Sequence, residues 1–511
     1  MRFNWDWTPS SRQDPIEQIQ ARRNYGEDFL QVAPLAAHTL PDLDRAIERI
    51  LDAVKRKQPL VIHGDDDPDG ICSAYILFDY LQRIGSHGHY FYIRNRLTEP
   101  HGLHPGFVEH VRAHGYGLVV TVDGGSSSFE GIRALSDMGV HTIVTDHHLL
   151  PEGPPPAYAV VNPKCAGADP DLVGLCGAGV VWLLVRRMAE YVRVEPDPAY
   201  LVWAAVGTLA DKVPLLGFNR TLCRQAVDGL FEHADETLKQ LMQALYISCE
   251  SSARIAFLHQ VGRLFSGGHA ADGDNLSLRL MLAPQVEKGA FLRALLAEKA
   301  RYDEQAGMVV NFLMENPPAP DDACFLLHDE NDDIPYNLCS LAAAFITGNY
   351  KIPALVLKRR QGDLVCEARS TDGFNLVEAF FACRETMADY GGHARAAGCT
   401  LLPGQLPRFR ELLNQRVEEH REQIFAHRRI RIDAEVQPRD LNADLLRGLS
   451  RLMPFGSRNP EPVFLMRNVR GGFLSELFQT DMQLEQTTSY DLVFHLKSED
   501  YLQILDYAEL Q

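Results

Sequence analysis

The chain has 511 residues, 46% of them hydrophobic, and a formal net charge of −18. That length suits about two to four globular domains, and the acidic balance excludes a broad non-specific nucleic-acid surface while leaving room for a narrow basic groove. No apolar run reaches membrane-spanning length, the opening MRFNWDWTPSSRQDP has no apolar signal-peptide core, and the ten cysteines form no C-x-x-C pair. A cytoplasmic protein with free thiols and no membrane partner is expected.

Along the chain, 1–50 reads as an N-terminal helical extension. Strand-helix alternation then runs from about 58 to 215, with expected strands at Leu60–Ile62, Tyr90–Ile93, Leu118–Val122, Thr142–Thr145 and Tyr158–Val161. This is an α/β pattern with a largely parallel sheet. Residues 220–315 are helical in character. After the Pro-rich NPPAPDD (316–322), ACFLLHD and PALVLKR read as strands with the helix NLCSLAAAFITG between them. Short strand-like runs follow from about 430.

The segment HGDDDPDG (63–70) places four carboxylates in five positions between the first strand and a helix expected over Ile71–Leu81. Asp65, Asp67, Asp69 and Gly70 imitate the opening of an EF-hand loop, but the twelfth position from Asp65 is Ile76, where calcium needs a bidentate Glu. Other strand ends deliver similar groups, Asp123 in VVTVDGGSSS and Asp146, His147 and His148 in IVTDHH, and Asp211 ends the hydrophobic segment in YLVWAAVGTLADKVPL. In an open parallel sheet, ligands bind at such ends. Carboxylate mixed with imidazole suits Mn²⁺, Mg²⁺ or Zn²⁺, and the carboxylate-rich balance leans to Mn²⁺.

HGDDDPDG, TVDGGS, VTDHH and GTLAD, in that order, resemble the four motifs of the DHH phosphoesterase superfamily. More specifically the chain resembles the RecJ-like exonuclease family, through YIRNRLTEPHGL, AVVNPK, LCGAGVVWLL, EARSTDGFNL, YGGHARAAGCTL and LMPFGSRNPEPVF. The resemblance implies a DHH catalytic domain over 51–220, a helical connector over 221–315, a smaller α/β DHHA1-type substrate-binding domain over 316–425 and a short, β-rich, OB-like C-terminal domain over 426–511. It also implies two Mn²⁺ ions, with Mg²⁺ a possible substitute. His63, Asp67 and Asp123 would hold one ion with Asp65 close by; Asp69, Asp123, His147 and Asp211 would hold the other, with Asp123 bridging. His148 would contact the scissile phosphate or assist proton transfer. Arg263, Arg369, Ser370, Gly391, Gly392, His393 and Arg395 would bind substrate phosphate, the glycines allowing close backbone approach and the guanidinium groups matching phosphate oxygens.

The chain departs from the family pattern at Arg458 in PFGSRNP, at GGSSS after Asp123, and in IPYNLCSLAAAFI, which lacks the usual glycines. The leading expectation is a metal-dependent 5′–3′ exonuclease on single-stranded DNA. Its alternatives are a DHH phosphodiesterase of short oligonucleotides or small nucleotides, and a non-catalytic, replication-scaffold-like DNA-binding protein. The surviving ligand set counts against the last. Two domains joined by a helical segment imply a cleft that admits a flexible strand more easily than a duplex.

Overall fold

The structure is a computed structural model and describes residues 3–31, 35, 38–95, 98–150, 152–248, 251–270, 273–360 and 362–510. Arg96 and Leu97, within the YIRNRLTEPHGL motif, lie outside the described residues. The chain divides into two compact units, one of residues 25–299 and 446–461, the other of residues 1–24, 300–445 and 462–511.

In the first unit, β1 (Leu60–Gly64), β2 (His89–Ile93), β3 (Leu118–Val122), β4 (His141–Thr145) and β5 (Ala159–Val161) form a wholly parallel sheet in the order β2-β1-β3-β4-β5. Continuous apolar runs build these strands because both faces are covered. Alternate residues diverge: Leu60, Ile62, Leu118, Val120 and Ile143 enter one core, while Val61, Val119 and Val144 enter another with Phe107 and Ile132. Full burial of each such side chain contributes about 1.5–3 kcal/mol. Strand order reverses between β1 and β3, and such a switch point opens a crevice at the strands' C-terminal ends.

Three helices shape that crevice. The first, α1 (Pro68–Arg83), begins three residues before the expected Ile71, because Asp67 caps it by accepting from Gly70 N and Pro68 supplies the first-turn φ. Asp69 therefore sits in a helical turn and not in an open loop. The other two, α2 (Gly177–Val192) and α3 (Ala199–Ala210), bury their apolar faces in the same core as α1. Six further helices among the described residues, Gly217–Asp228, Leu230–His233, Glu236–Ala244, Ser251–Ser266, Leu276–Leu282 and Gln285–Glu315, follow as the helical composition of 220–315 implies.

The second unit holds a mixed sheet of β6 (Phe325–Asp329), β7 (Ala354–Arg360), β8 (Asp363–Arg369), β9 (Met387–His393) and β10 (Ala396–Leu401), ordered β9-β10-β8-β7-β6. Only β6 and β7 pair in parallel. A C-terminal sheet combines Ala434–Glu435, Phe464–Arg470, Ser489–Ser498, Tyr501–Leu510 and Gln479–Thr480 in that order. Near the start of the chain, Asn4–Asp6 forms a separate two-stranded parallel sheet with Arg429–Arg431, and Phe3 packs with Ile430, Ile432, Leu465 and Val493. Arg23 grips Asp433 with two bonds of 2.8 and 2.7 Å, both side chains 5% exposed. Among the described residues no helix is long and apolar enough to cross a membrane.

Candidate metal centre

Four chain segments bring acids and imidazoles to the C-terminal edge of the parallel sheet. Asp123 follows β3 directly, at a positive φ of 55°, with its N–H bonded to Thr145 O at 2.9 Å. It is 3% exposed. His147 Nε2 lies 3.2 Å from Asp123 Oδ1, 3.8 Å from Asp69 Oδ2 and 3.7 Å from Asp211 Oδ2. Asp69, His147 and Asp211 each offer a ligand atom within 4.8 Å of the others, and so do Asp123, Asp146, His147 and His148.

Two glycines make this density possible. A Cβ on Gly177 would stand 2.6 Å from Asp123 Oδ1, and one on Gly207 would stand 2.4 Å from Asp69 Oδ1. Gly177 also opens α2, whose first N–H groups hold Asp69: Gly177 N donates to Oδ2 at 2.7 Å and Ala178 N to Oδ1 at 2.9 Å. The helix dipole favours the carboxylate there.

The electrostatics call for a cation. Burial, reinforced by the charge of Asp69, raises the Asp67 carboxyl to about 6 and that of Asp211 to about 8. Burial with the charges of Asp69 and Asp67 also pushes Asp123 far above the carboxylate range. Burial lowers His63 to about 4, so its imidazole is neutral, as a ligand must be. Asp123 Oδ1, His147 Nε2 and His63 Nε2 are buried atoms without a hydrogen-bond partner. Orphaned acceptors among crowded carboxylates are the donor set that a divalent ion satisfies.

The remaining expected residues are placed less uniformly. His63, Asp65 and Asp67 stand outside both ligand groupings among the described residues. His63 lies near the end of β1, stacked on Tyr92 with Phe107 at its edge. Asp67 carries its helix cap and lies within hydrogen-bonding reach of Asp123. Asp65 accepts from Arg94 Nε at 3.0 Å; burial raises its carboxyl, but His101, the Asp66 N–H and Arg94 together hold it well below the usual range. Arg263 is exposed on the helix Ser251–Ser266, beside Gly262, where a Cβ would stand 3.2 Å from Ala210 Cβ, one residue before Asp211.

In the second unit, Arg369 ends β8 and its guanidinium lies 3.7 Å from Glu367. The Ser370 hydroxyl is committed to Phe374 O at 2.7 Å. The GGHARAAG segment is a β-hairpin and not a free loop: Gly391 pairs with Gly398, Gly392 with Ala397 and His393 with Ala396, leaving Ala394 and Arg395 at the tip. Gly392 has φ 131°, and a Cβ there would stand 2.4 Å from Ala396 O, so only glycine fits. Gly391 and His393 are exposed.

Sequence reasoning placed Asp146 at a strand end but gave it no part in orienting the DHH loop. Asp146, 1% exposed, accepts from His147 N at 2.6 Å, His148 N at 3.1 Å, His148 Nδ1 at 2.8 Å and Ser126 N at 2.9 Å. Buried Asn162 donates to Ser126 Oγ and His148 O, each at 3.0 Å. The bond to Asp146 raises His148 to about 9 against its burial. Its ring therefore presents a protonated face while Nδ1 is held. The signal was available in the Asp of VTDHH and the Asn of VVNPK. Asp66 was missed too: it is 1% exposed, 2.7 Å from Arg94 and 3.3 Å from His269.

The model of the DHH family N-terminal domain matches residues 59–208, and that of the RecJ OB domain matches residues 432–479. The single-stranded-DNA-specific exonuclease RecJ of Bacillus subtilis (strain 168) is 25% identical over 479 residues, covering 87% of this chain and 57% of that protein. The chain thus spans little more than half the length of that relative. The crystal structure of RecJ in complex with Mn²⁺ from Thermus thermophilus has the same fold, with a TM-score of 0.79 and 23% identity over 97% of this chain and 76% of the other. A crystal structure of exonuclease RecJ bound to manganese aligns at 27% identity and a TM-score of 0.64, covering 75% of this chain and 96% of its own. Together with the DHH loop, the acid cluster and the β-rich C-terminal domain, these matches show that the chain carries a DHH N-terminal domain and a RecJ OB domain and is similar to the single-stranded-DNA-specific exonucleases RecJ.

Proposed function

We propose that the protein is a metal-dependent exonuclease that hydrolyses single-stranded DNA from the 5′ end, acting in the cytoplasm. The observation that carries this reading is the pair of orphaned, buried ligand atoms Asp123 Oδ1 and His147 Nε2, 3.2 Å apart beside Asp69 and Asp211, with a third orphaned atom, His63 Nε2, on the same unit. The names of the matched relatives supply the substrate class.

His63, Asp67 and Asp123 would hold one Mn²⁺ ion, and Asp69, Asp123, His147 and Asp211 a second, with Mg²⁺ able to substitute. A bound pair of such ions activates water and stabilises the leaving oxygen of a phosphodiester. The chain's own residues do the rest. Asp146 and Asn162 fix the DHH loop. His148, protonated and 59% exposed at its side chain, binds a phosphate oxygen and holds a proton for the departing oxygen. Asp65 fastens Arg94 near the site through its ion pair. Arg263, Arg369, His393 and Arg395 supply phosphate contacts, Gly391 and Gly392 give the hairpin room for close backbone approach, and Ser370 shapes the turn after β8.

The test is incubation of the purified protein and Mn²⁺ with end-labelled oligonucleotides of several lengths. Mononucleotides released from the 5′ end of a long single strand support the reading. Cleavage of dinucleotides with long strands untouched replaces it with the short-oligonucleotide phosphodiesterase, which the acidic net charge favours.

A further inference from the structure

In the second unit a cleft of about 800 Å³ gathers five cationic side chains, Arg22, Lys351, Arg395, Arg429 and Arg431, from four separate stretches of chain. In a protein of net charge −18 this is a concentration against the trend. Among the described residues, two carboxylates line it. One, Asp372, is paired with Arg395 Nε at 2.7 Å, and the other, Asp6, accepts from Arg22. Lys351 and Arg429 have no carboxylate partner among the described residues. Burial pushes the Lys351 ammonium down, the mark of a cation without a counter-ion.

The cleft is assembled from distant parts. Arg429 and Arg431 lie on the strand that pairs with Asn4–Asp6, so the N-terminal segment forms one wall. Lys351 caps the helix Cys339–Tyr350 in a left-handed conformation. Arg395 comes from the hairpin tip between β9 and β10. The volume far exceeds the roughly 30 Å³ of a single water, so an extended anion and not a lone ion fits. Guanidinium groups bind phosphate bidentately, whereas a lysine acts as a point charge.

We propose that this cleft binds the phosphodiester backbone of a single strand at a distance in sequence from the metal ligands, as a second holding point whose wall is the N-terminal segment. The inference rests on the single-strand reading above. A chain that repels polyanions overall needs such a local anchor to keep hold of a long strand between cleavage events.

Each phosphate neutralised on a single strand contributes about −0.7 to the slope of log K against log salt. The experiment measures binding of a 30-nucleotide strand across a salt series, in an Asp123→Ala background, for the unaltered cleft, for Arg429→Gln with Lys351→Gln, and for the charge-keeping Arg429→Lys with Lys351→Arg. The neutral pair is expected to lower the slope by about 1.4, equivalent to about 25-fold weaker binding near 0.1 M salt when referred to 1 M. The charge-keeping pair is expected to retain the slope. With Asp123 intact, hydrolysis of a dinucleotide should be the same in all three. An unchanged slope in the neutral pair overturns the proposal, as does an equal loss in the charge-keeping pair, which would mark a structural role. Failure of the unaltered cleft to bind the long strand, with dinucleotide hydrolysis intact, overturns the single-strand reading instead.

Discussion

At the residue scale Asp123 and His148 sit in the same crevice with opposite character. Asp123 is buried and its Oδ1 is unpartnered, while His148 is exposed and tied to Asp146. If Asp123 is shared between both ions, Asp123→Ala should abolish Mn²⁺-dependent hydrolysis, with circular dichroism unchanged because the residue ends a strand outside the apolar core. More than a tenth of the original turnover would contradict the shared role, since losing a common ligand should exceed the ~1.4 kcal/mol that a tenfold change represents. His148→Ala should cost about 10²–10⁴ in turnover while calorimetric Mn²⁺ binding stays within about twofold. Both residues were legible in the sequence, because strand ends followed at once by Asp or His are visible in a linear reading. The pairing of Asp65 with Arg94 was not, because it joins residues 29 apart across β1 and β2 through side chains that no periodicity reports.

At the scale of elements, parallel strands buried on both faces announced themselves as apolar runs, and the structure keeps all five near their expected bounds. The hairpin β9–β10 was harder to read, since GGHARAAG carries the composition of a turn and its strand character comes only from the register Gly391–Gly398 with β8 beyond. The pairing of Asn4–Asp6 with Arg429–Arg431 was invisible, because NWD has no strand signature and its partner lies over 400 residues away. Close approach of elements yields a prediction. Gly177→Ala would force a Cβ to 2.5 Å from Asp123 Cβ, so activity should fall at least about 100-fold, some 2.7 kcal/mol, with helix content retained. Near-normal turnover would show that the crevice has slack.

A second element-level prediction concerns acid stability. Asp329 Oδ2 accepts from Lys358 Nζ at 2.7 Å and from Ile334 N at 2.9 Å, while Oδ1 accepts from Asp333 N. Burial raises its carboxyl, yet the Lys358 bond and the two N–H groups bring it below its ordinary value. A depressed folded-state pKa stabilises above the unfolded value near 4 and loses that contribution as pH falls through the folded one. Asp329→Asn should therefore cost about 2–4 kcal/mol at neutral pH and flatten the acid limb of a melting-versus-pH curve below about pH 4. An acid limb unchanged from that of the original protein would remove Asp329 from the account.

For the molecule as a whole, the proposed function asks an acidic protein to hold both cations and a polyanion. Crowded carboxylates repel until an ion is bound, so Mn²⁺ should raise the melting temperature, with a stabilisation of about 2.7 kcal/mol at a hundred times the dissociation constant. Chelation should reverse it, and Asp123→Ala should blunt it.

The most direct measurement of the central claim is hydrolysis of a 30-nucleotide single strand labelled at either end, with Mn²⁺ and with a chelator, beside the blunt duplex of the same sequence. Mn²⁺-dependent release of mononucleotides from the 5′-labelled single strand is expected, with little attack on the duplex, and none with chelator or in Asp123→Ala. Hydrolysis that persists with chelator, or that survives in Asp123→Ala, would contradict it.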